Sequence, residues 1–317
     1  MAPRPVTAIE TVIRRIEPAG PDVKRFTLED PEGWDLPPAR PGAHIDLHLP
    51  GGMLRTFSIC GPPREAARYV IAVKREAAGR GGSAYLCDKA REGDLIGVSL
   101  PRGGVPIAPG ARHVFIAGGI GVTPFLSAAA FLLARGDRDF CLHVVARGGK
   151  PPLADMIAPL REAGVAVVHD STRGRPNLAA LIGPPEPGTR LACCGPVSMV
   201  AAFEAAVVDW PPNQIHIERF VPPPLAPDPK AARYTLVLAR TGRSMDVPRG
   251  IGMLDAIAAC GVAVPTSCGG GICGACRVDF LEGTPLHHDR FLSQAERARS
   301  LLACVAGCAG GRLVLDL

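Results

Sequence analysis

Three cysteines stand close together near the C-terminus. Cys268, Cys273 and Cys276 have the spacing C-x₄-C-x₂-C, and Cys304 and Cys308 follow downstream. Thiolates are soft, charged donors, and this is the spacing of plant-type [2Fe–2S] centres. Between the first two ligands runs Gly269-Gly-Gly-Ile. Glycines let a backbone curl so that its N–H groups approach cluster sulfurs, and such hydrogen bonds help to set a reduction potential. Structural zinc more often takes two C-x₂₋₄-C pairs and needs no glycine-rich gap. A zinc-binding interaction module is therefore the rival of a different class. Spacing alone leaves Cys304 and Cys308 open as the fourth ligand.

A second chemical signal lies mid-chain. Val114-Phe-Ile-Ala-Gly-Gly-Ile-Gly121-Val-Thr-Pro124 reads as a strand, a glycine turn and a helix start. Backbone amides at such a turn can approach a pyrophosphate. Pro124 occupies the place of the third glycine in G-x-G-x-x-G, where a first helical turn tolerates its missing N–H. Downstream, Cys194-Gly195-Pro196-Val-Ser-Met199 closes one strand and opens a helix. Gly79-Arg-Gly81-Gly82-Ser83 can offer N–H groups and a hydroxyl to a phosphate. G-x-S-x-G and G-x₄-G-K-[ST] are absent. Cys141-Leu-His143 has no C-x₂-H counterpart, which excludes a Rieske centre, and His287-His288 reads as loop surface. Cys60, Cys87, Cys141, Cys193 and Cys260 read as small buried residues.

The elements that must position these groups change along the chain. Residues 1–105 are β-rich, with short runs such as Ile45–Leu49, Thr56–Cys60, Tyr69–Val73 and Leu95–Leu100 between turns, and a short helix at Ser83–Lys89. That rhythm predicts an antiparallel β-barrel. Residues 106–222 alternate strands (Val114–Ala117, Phe140–Ala146, Val165–His169, Arg190–Cys194, Gln214–Glu218) with helices (Pro124–Ala134, Leu153–Ala163, Val197–Val208). Such alternation predicts an α/β domain with a parallel sheet. Prolines at 223–231 make a semi-rigid linker, and 232–317 forms a third domain with a helix at Met253–Cys260. Hydrophobic residues make up 47% and charged residues 21%, a globular balance, and the net charge of +5 is spread over all three segments. No nucleic-acid partner is expected. The uncharged run Val114–Ala134 is long enough for a membrane span, but its glycines and Pro124 favour strand, turn and helix. No signal segment is read at the N-terminus, and eleven cysteines without one favour reduced thiols and a cytoplasmic place.

Taken together, Gly-Ile-Gly-Val-Thr-Pro and Cys-Gly-Pro-x-x-Met resemble the pyridine-nucleotide domain of the ferredoxin–NADP reductase superfamily. The resemblance implies Gly119, Gly121, Thr123 and Pro124 at the pyrophosphate. It implies Cys194, Gly195, Pro196 and Met199 at the nicotinamide, with Cys194 placing the ring rather than attacking it. Arg147, with Lys150, Arg173 and Arg175, follows nucleotide-domain strands and could meet a 2′-phosphate, which would favour NADPH over NADH. Arg55-Thr56-Phe57-Ser58 resembles the superfamily's R-x-Y-[ST] flavin motif, with Phe57 in place of the usual Tyr. By that resemblance Arg55 neutralises a flavin phosphate and Ser58 bonds near flavin N5. Thr56, Val73, Lys74, Gly81, Gly82 and Ser83 complete the flavin site, and Phe220 covers the ring where nicotinamide enters. Leu301-Leu-Ala-Cys304 resembles the Leu-x-x-Cys of plant-type ferredoxins, which assigns the fourth ligand to Cys304 and implies a β-grasp α+β fold.

The order barrel, nucleotide domain, ferredoxin domain resembles the phthalate dioxygenase reductase and vanillate demethylase reductase group. That resemblance implies FMN, NADH as substrate, a [2Fe–2S] cluster and a terminal Rieske-type oxygenase as acceptor. A flavin takes two electrons and passes them on singly, so the expected function is to split a hydride's electron pair. The alternative within the class is a self-sufficient oxidoreductase with a small acceptor.

Overall fold

In a computed structural model, described for residues 8–63, 65, 67–77, 79–220 and 230–317, the chain gathers into two compact units. One runs to Leu49 and resumes from Thr56 to Phe220; the other takes Pro50–Arg55 and the chain after Phe220. Most of the expected linker 223–231 lies outside the described residues.

The first unit opens with a six-stranded sheet. Its strands are β1 (Ala8–Gly20), β2 (Val23–Glu29), β3 (His44–Leu49), β4 (Met53–Ser58), β5 (Arg68–Lys74) and β6 (Leu95–Ser99). They lie in the order β4-β3-β6-β1-β2-β5. The two outer strands meet through the Ile59↔Ile71 bridge and the Cys60 N–H to Val70 carbonyl bond of 2.8 Å, which closes the sheet into a barrel. Ile13, Phe26, Leu28, Ile45, Leu47 and Ile71 fill it. The sequence reading did not single out β1 and β2. Register shifts between Ile13 and Arg15 and between Pro18 and Gly20 break the alternation by which a strand is recognised. Helix α1 (Gly82–Asp88) follows β5, with Gly81 at φ 81° before it.

The five parallel strands of the nucleotide domain are β7 (Arg112–Gly118), β8 (Phe140–Ala146), β9 (Ala166–Asp170), β10 (Thr189–Cys194) and β11 (Ile215–Glu218), in the order β11-β10-β7-β8-β9. Their near-continuous apolar sequences follow from cover on both faces. Phe115, Leu142 and Val144 pack with Phe125, Leu132, Ile157 and Leu160 of α2 (Thr123–Ala134) and α3 (Ala154–Glu162). Val114, Ile116 and Leu191 pack with Leu178, Ile182, Val200 and Phe203 of α4 (Leu178–Ile182) and α5 (Val197–Ala206). The run Val114–Ala134 is thus strand, turn and helix. Among the described residues no helix is long and apolar enough to cross a membrane.

Barrel and nucleotide sheet share one core, since Val23, Cys60, Ala72 and Val105 join the cluster around Phe125. Arg25 of β2 reaches Asp155 of α3 at 2.6 Å, and the Leu153 N–H donates to the Ala19 carbonyl at 2.7 Å.

The second unit is α+β. Its strands are β12 (Tyr234–Leu238), β13 (Arg243–Val247), β14 (Arg277–Glu282), β15 (Pro285–Leu286), β16 (Ser300–Leu302), β17 (Gly307–Cys308) and β18 (Gly311–Leu315). The main sheet has the order β13-β12-β18-β14-β16, with the parallel pair β12–β18 at its centre. Helix α6 (Met253–Ala259) buries Met253, Ala256 and Ile257 against Leu236, Leu238 and Leu313, as in a β-grasp fold. A short α7 (Gln294–Arg297) is fixed by a Ser293–Glu296 capping box.

One buried ion pair ties the barrel to the functional strand β4. Asp46 of β3 accepts from Arg102 Nη2 at 2.7 Å and from Thr56 Oγ1 at 2.5 Å. Burial pushes the Asp46 carboxyl up, but Arg102 and Thr56 outweigh it and hold it below the ordinary carboxylate value. Arg102→Met leaves that carboxylate buried without its cation. We expect a loss of about 3 kcal/mol in urea unfolding, largely restored by adding Asp46→Asn.

Candidate functional site

The chain reverses direction across the parallel sheet between β7 and β10. From β7 it proceeds outward to β8 and β9, then returns to β10 and β11 on the other side. Ligands of open α/β sheets bind at such a switch point, beyond the carboxyl ends of the strands. Both nucleotide motifs emerge there. The turn Gly119–Val122 follows β7 and the loop Gly195–Pro196 follows β10. They touch backbone to backbone. A Cβ on Gly118 would meet Met199 Sδ and Pro196 Cδ at 2.6 Å, and a Cβ on Gly121 would overlap the Cys194 carbonyl. Gly119 sits at φ 54°, in the left-handed region. Thr123 is buried and its hydroxyl donates to the Ile120 carbonyl at 3.1 Å, so it shapes the turn; Pro124 opens α2.

Parallel register sets Cys194 opposite Glu218, the last residue of β11. Across from them, Ser58 Oγ donates to Glu218 Oε1 at 3.1 Å. Ser58 and Cys194, the two residues expected at the reacting centre, therefore converge on one carboxyl. In the sequence Glu218 is marked only as the end of the strand Gln214–Glu218. Glu218 keeps some accessible surface, yet burial of its carboxyl pushes it up to about 7, against the Ser58 hydrogen bond. Burial, then Glu218 and Cys193, push the Cys194 thiol well above its ordinary value. It stays a neutral thiol, which is not the reactive form of a nucleophilic cysteine.

The expected flavin residues divide by what the fold leaves free. Arg55 and Phe57 are half-buried on β4. The Thr56 hydroxyl is committed to Asp46, and the Val73 side chain is wholly inside the barrel, so the structure turns neither side chain outward for a ligand. Lys74 is exposed and paired with Glu76 at 2.7 Å. Ser83 Oγ accepts from the Glu76 N–H at 3.1 Å, which folds the Gly81–Gly82 turn at the start of α1. Phe220 is 43% exposed, available to stack on a planar group.

Arg147 and Lys150 are exposed after β8, and the turn between them lies beside a residue that the sequence did not mark. Asp170 ends β9, and its carboxyl accepts from the Thr172 N–H at 2.9 Å and hydroxyl at 2.7 Å. Gly149 lies beside it, a Cβ there falling 3.8 Å from Asp170 Cβ. Thr172, Gly148 and Arg173 hold this carboxyl below its ordinary value. An acidic group at a strand end suits a ribose diol and repels a 2′-phosphate.

In the second unit the four expected cluster ligands come together as two pairs, Cys268 with Cys273 and Cys276 with Cys304, each joined by a side-chain hydrogen bond. Two thiolates per iron is the demand of a dinuclear cluster. Among the described residues no three His, Cys, Asp or Glu side chains are placed to hold a single metal ion. The Gly270 N–H donates to Cys268 Sγ at 3.3 Å. The Cys273 bond, opposed by burial and helped by the Gly270, Ile272 and Cys273 N–H groups, pulls Cys268 down; the same bond pushes Cys273 up. The Gly270 N–H aimed at Cys268 Sγ would stabilise a charged sulfur there, which fits a cluster ligand. Cys308 lies apart on β17, its thiol on the Gly310 carbonyl at 3.3 Å. Cys60, Cys87, Cys193 and Cys260 are buried as expected, and Cys141 is half-buried. His287 and His288 are a correction. They are half-buried rather than loop surface, because the buried Asp289 draws the turn inward.

Comparison with known proteins covers the whole chain. Residues 236–308 match the 2Fe-2S iron-sulfur cluster binding domain family. The chain is 42% identical over 302 residues to the phenoxybenzoate dioxygenase subunit beta of Ectopseudomonas oleovorans, covering 93% of each. It is 35% identical over 306 residues to the phthalate dioxygenase reductase of Burkholderia cepacia, again covering 93% of each. Among solved structures, a phthalate dioxygenase reductase described as modular for electron transfer from pyridine nucleotides to [2Fe–2S] superimposes with a TM-score of 0.74, at 32% identity and 98% coverage of both chains.

Gly121→Ala forces the Cys194 carbonyl to move. We expect the half-saturating NADH concentration for flavin bleaching in stopped flow to rise at least about tenfold, with flavin content unchanged. Glu218 titrates near 7 when folded against an ordinary 4.5, so its contribution to stability is present below about 4.5 and is lost as pH rises through about 7. Thermal melts of Glu218→Gln should lack that decline, the variant gaining on the parent across this window.

Proposed function

Because the chain belongs to the phthalate dioxygenase reductase family, we propose that it carries electrons from NADH through FMN and a [2Fe–2S] cluster to a Rieske-type terminal oxygenase. It is an oxidoreductase with a ferredoxin-like iron–sulfur domain, and its relatives are reductase components of oxygenase systems. The observation that carries the proposal is the convergence of Ser58 from the barrel and Cys194 from the nucleotide sheet on Glu218. It joins the flavin strand to the nicotinamide loop at one point.

When bound, the flavin and cluster supply the conversion of a hydride's electron pair into single electrons. The chain's own residues orient and insulate. The Gly119–Gly121 turn lets backbone N–H groups reach a pyrophosphate. Cys194, buried and neutral, gives the nicotinamide an uncharged wall. Ser58 holds its proton toward Glu218 Oε1, and Glu218, with its value raised to about 7, can hold or release a proton at neutral pH. Arg55 supplies positive charge for the flavin phosphate. Asp170 supports NADH over NADPH at the adenosine end, against the arginines around it. FMN rather than FAD is supported by the resemblance of the whole chain to the phthalate dioxygenase reductase group.

The test is the visible spectrum of the purified protein before and after anaerobic NADH, with chromatography of the released flavin. We expect overlapping flavin and iron–sulfur bands that bleach together, FMN in the extract, and slow NADH oxidation that accelerates on adding a Rieske oxygenase. Rapid sustained oxidation with no partner would favour the self-sufficient reading, and a colourless protein would overturn the proposal.

A further inference from the structure

Behind the cysteine loop lies a buried charge that the proposed electron path does not use. The Asp289 side chain is 1% exposed. Its Oδ2 accepts from the Leu292 N–H at 2.8 Å and the Phe291 N–H at 3.2 Å, and Arg297 Nη2 approaches it at 3.4 Å. Arg297 Nη2 also donates to the Asp289 carbonyl at 2.6 Å. One carboxylate thereby folds residues 289–292 into a tight turn, anchored to α7.

That turn grips the loop that carries the ligands. The Arg290 N–H donates to the Gly271 carbonyl at 2.9 Å, in the middle of the Cys268–Cys273 segment. Gly271, at φ 71°, presses so closely that a Cβ would lie 3.0 Å from Asp289 Cα and 2.8 Å from Val305 Cγ2. A Cβ on Gly274 would overlap the Phe291 ring, which lies over the Cys273–Cys276 segment. Leu292 packs with Cys276, Leu302 and Val305, beside Cys304. Every segment bearing a ligand therefore touches the Asp289 turn or the residues it fixes.

The charges are few and close. His287 Nδ1 lies 3.6 Å from Asp289 Oδ1, and both atoms, with Arg297 Nε, lack hydrogen-bond partners among the described residues. Burial, then Arg297, keep His287 below its ordinary value and so neutral at pH 7, against the pull of Asp289. The pair is one buried carboxylate against a guanidinium that is 37% exposed.

We propose that Asp289 is a positioning residue for the iron–sulfur site, holding the ligand loop through the 289–292 turn, and that the Asp289–Arg297 pair biases the cluster's reduction potential. The inference rests on the presence of the cluster in this unit. Partners of this kind orient metal ligands, and their loss typically costs about 10–100-fold in metal affinity. Reduction adds negative charge to the cluster, so removing a nearby anion raises the potential and removing a nearby cation lowers it.

The test uses the full-length holoprotein and three variants, with iron per chain in the parent as the check on the underlying reading. Asp289→Ala should lose iron to a chelator at least about tenfold faster than the parent. Asp289→Asn and Arg297→Gln should keep iron and shift the cluster midpoint in opposite directions, upward for the first and downward for the second, in EPR-monitored titrations. NADH bleaching of the flavin should match the parent in all three. Parent-like iron retention in Asp289→Ala, or midpoints that stay put or move in the same direction, would overturn the proposal. A parent without iron would instead sink the cluster reading itself.

Discussion

At the carboxyl ends of β7 and β10, two backbones lie against each other at glycines, with Met199 and Pro196 packed beside them. Gly118 and Gly195 approach so closely that a Cβ on Gly195 would stand 3.1 Å from Gly118 Cα, and Gly121 leaves no room beside the Cys194 carbonyl. This contact sits at the switch point of the sheet, where the strands on either side diverge and leave a crevice. It sets where Cys194 stands. The parallel register then carries Cys194 to Glu218, and Glu218 to Ser58 of the barrel. A side chain inserted at Gly121 would disturb all of these at once, because interiors this dense transmit strain instead of absorbing it.

Burial has opposite uses in the two units. In the first it keeps groups neutral, with Cys194 held as a thiol and Glu218 poised near neutrality. Cys194 thus carries no charge at neutral pH, whereas Glu218 can change its charge there. In the second unit, backbone N–H groups around Cys268 work against burial and favour charged sulfur. The difference lies in the local backbone. A strand end uses its N–H groups in the sheet, whereas a glycine-rich loop with Gly269, Gly271 and Gly274 at positive φ turns them inward.

The barrel and nucleotide sheet behave as one body for a physical reason. Their shared core runs from Val23 and Ala72 to Phe125, and Arg25 and Leu153 bind across the seam. Hydride transfer needs sub-ångström alignment of donor and acceptor, which a shared core can hold and a flexible linker cannot.

The chemistry of this protein was legible wherever it depended on local spacing. C-x₄-C-x₂-C packs three thiols into a short segment, so adjacency in sequence guarantees adjacency in space, and residues 236–308 match the iron–sulfur domain family. Strand and helix alternation across the nucleotide domain was legible too, because both faces of its sheet are covered and the apolar runs are long. The bulged strand β1 was not, since its register shifts erase the period of two. Nor were Glu218, Asp170 and Asp289, three carboxylates with nothing in their neighbouring residues to mark them. Glu218 gains its role from a strand pairing with β10 and a barrel serine 160 positions away. Asp170 gains its place from the turn after β8, and Asp289 from a loop folded back on Gly271. An isolated carboxylate in a sequence is only a polar residue. Burial and partners give it a function, and long-range packing alone decides both.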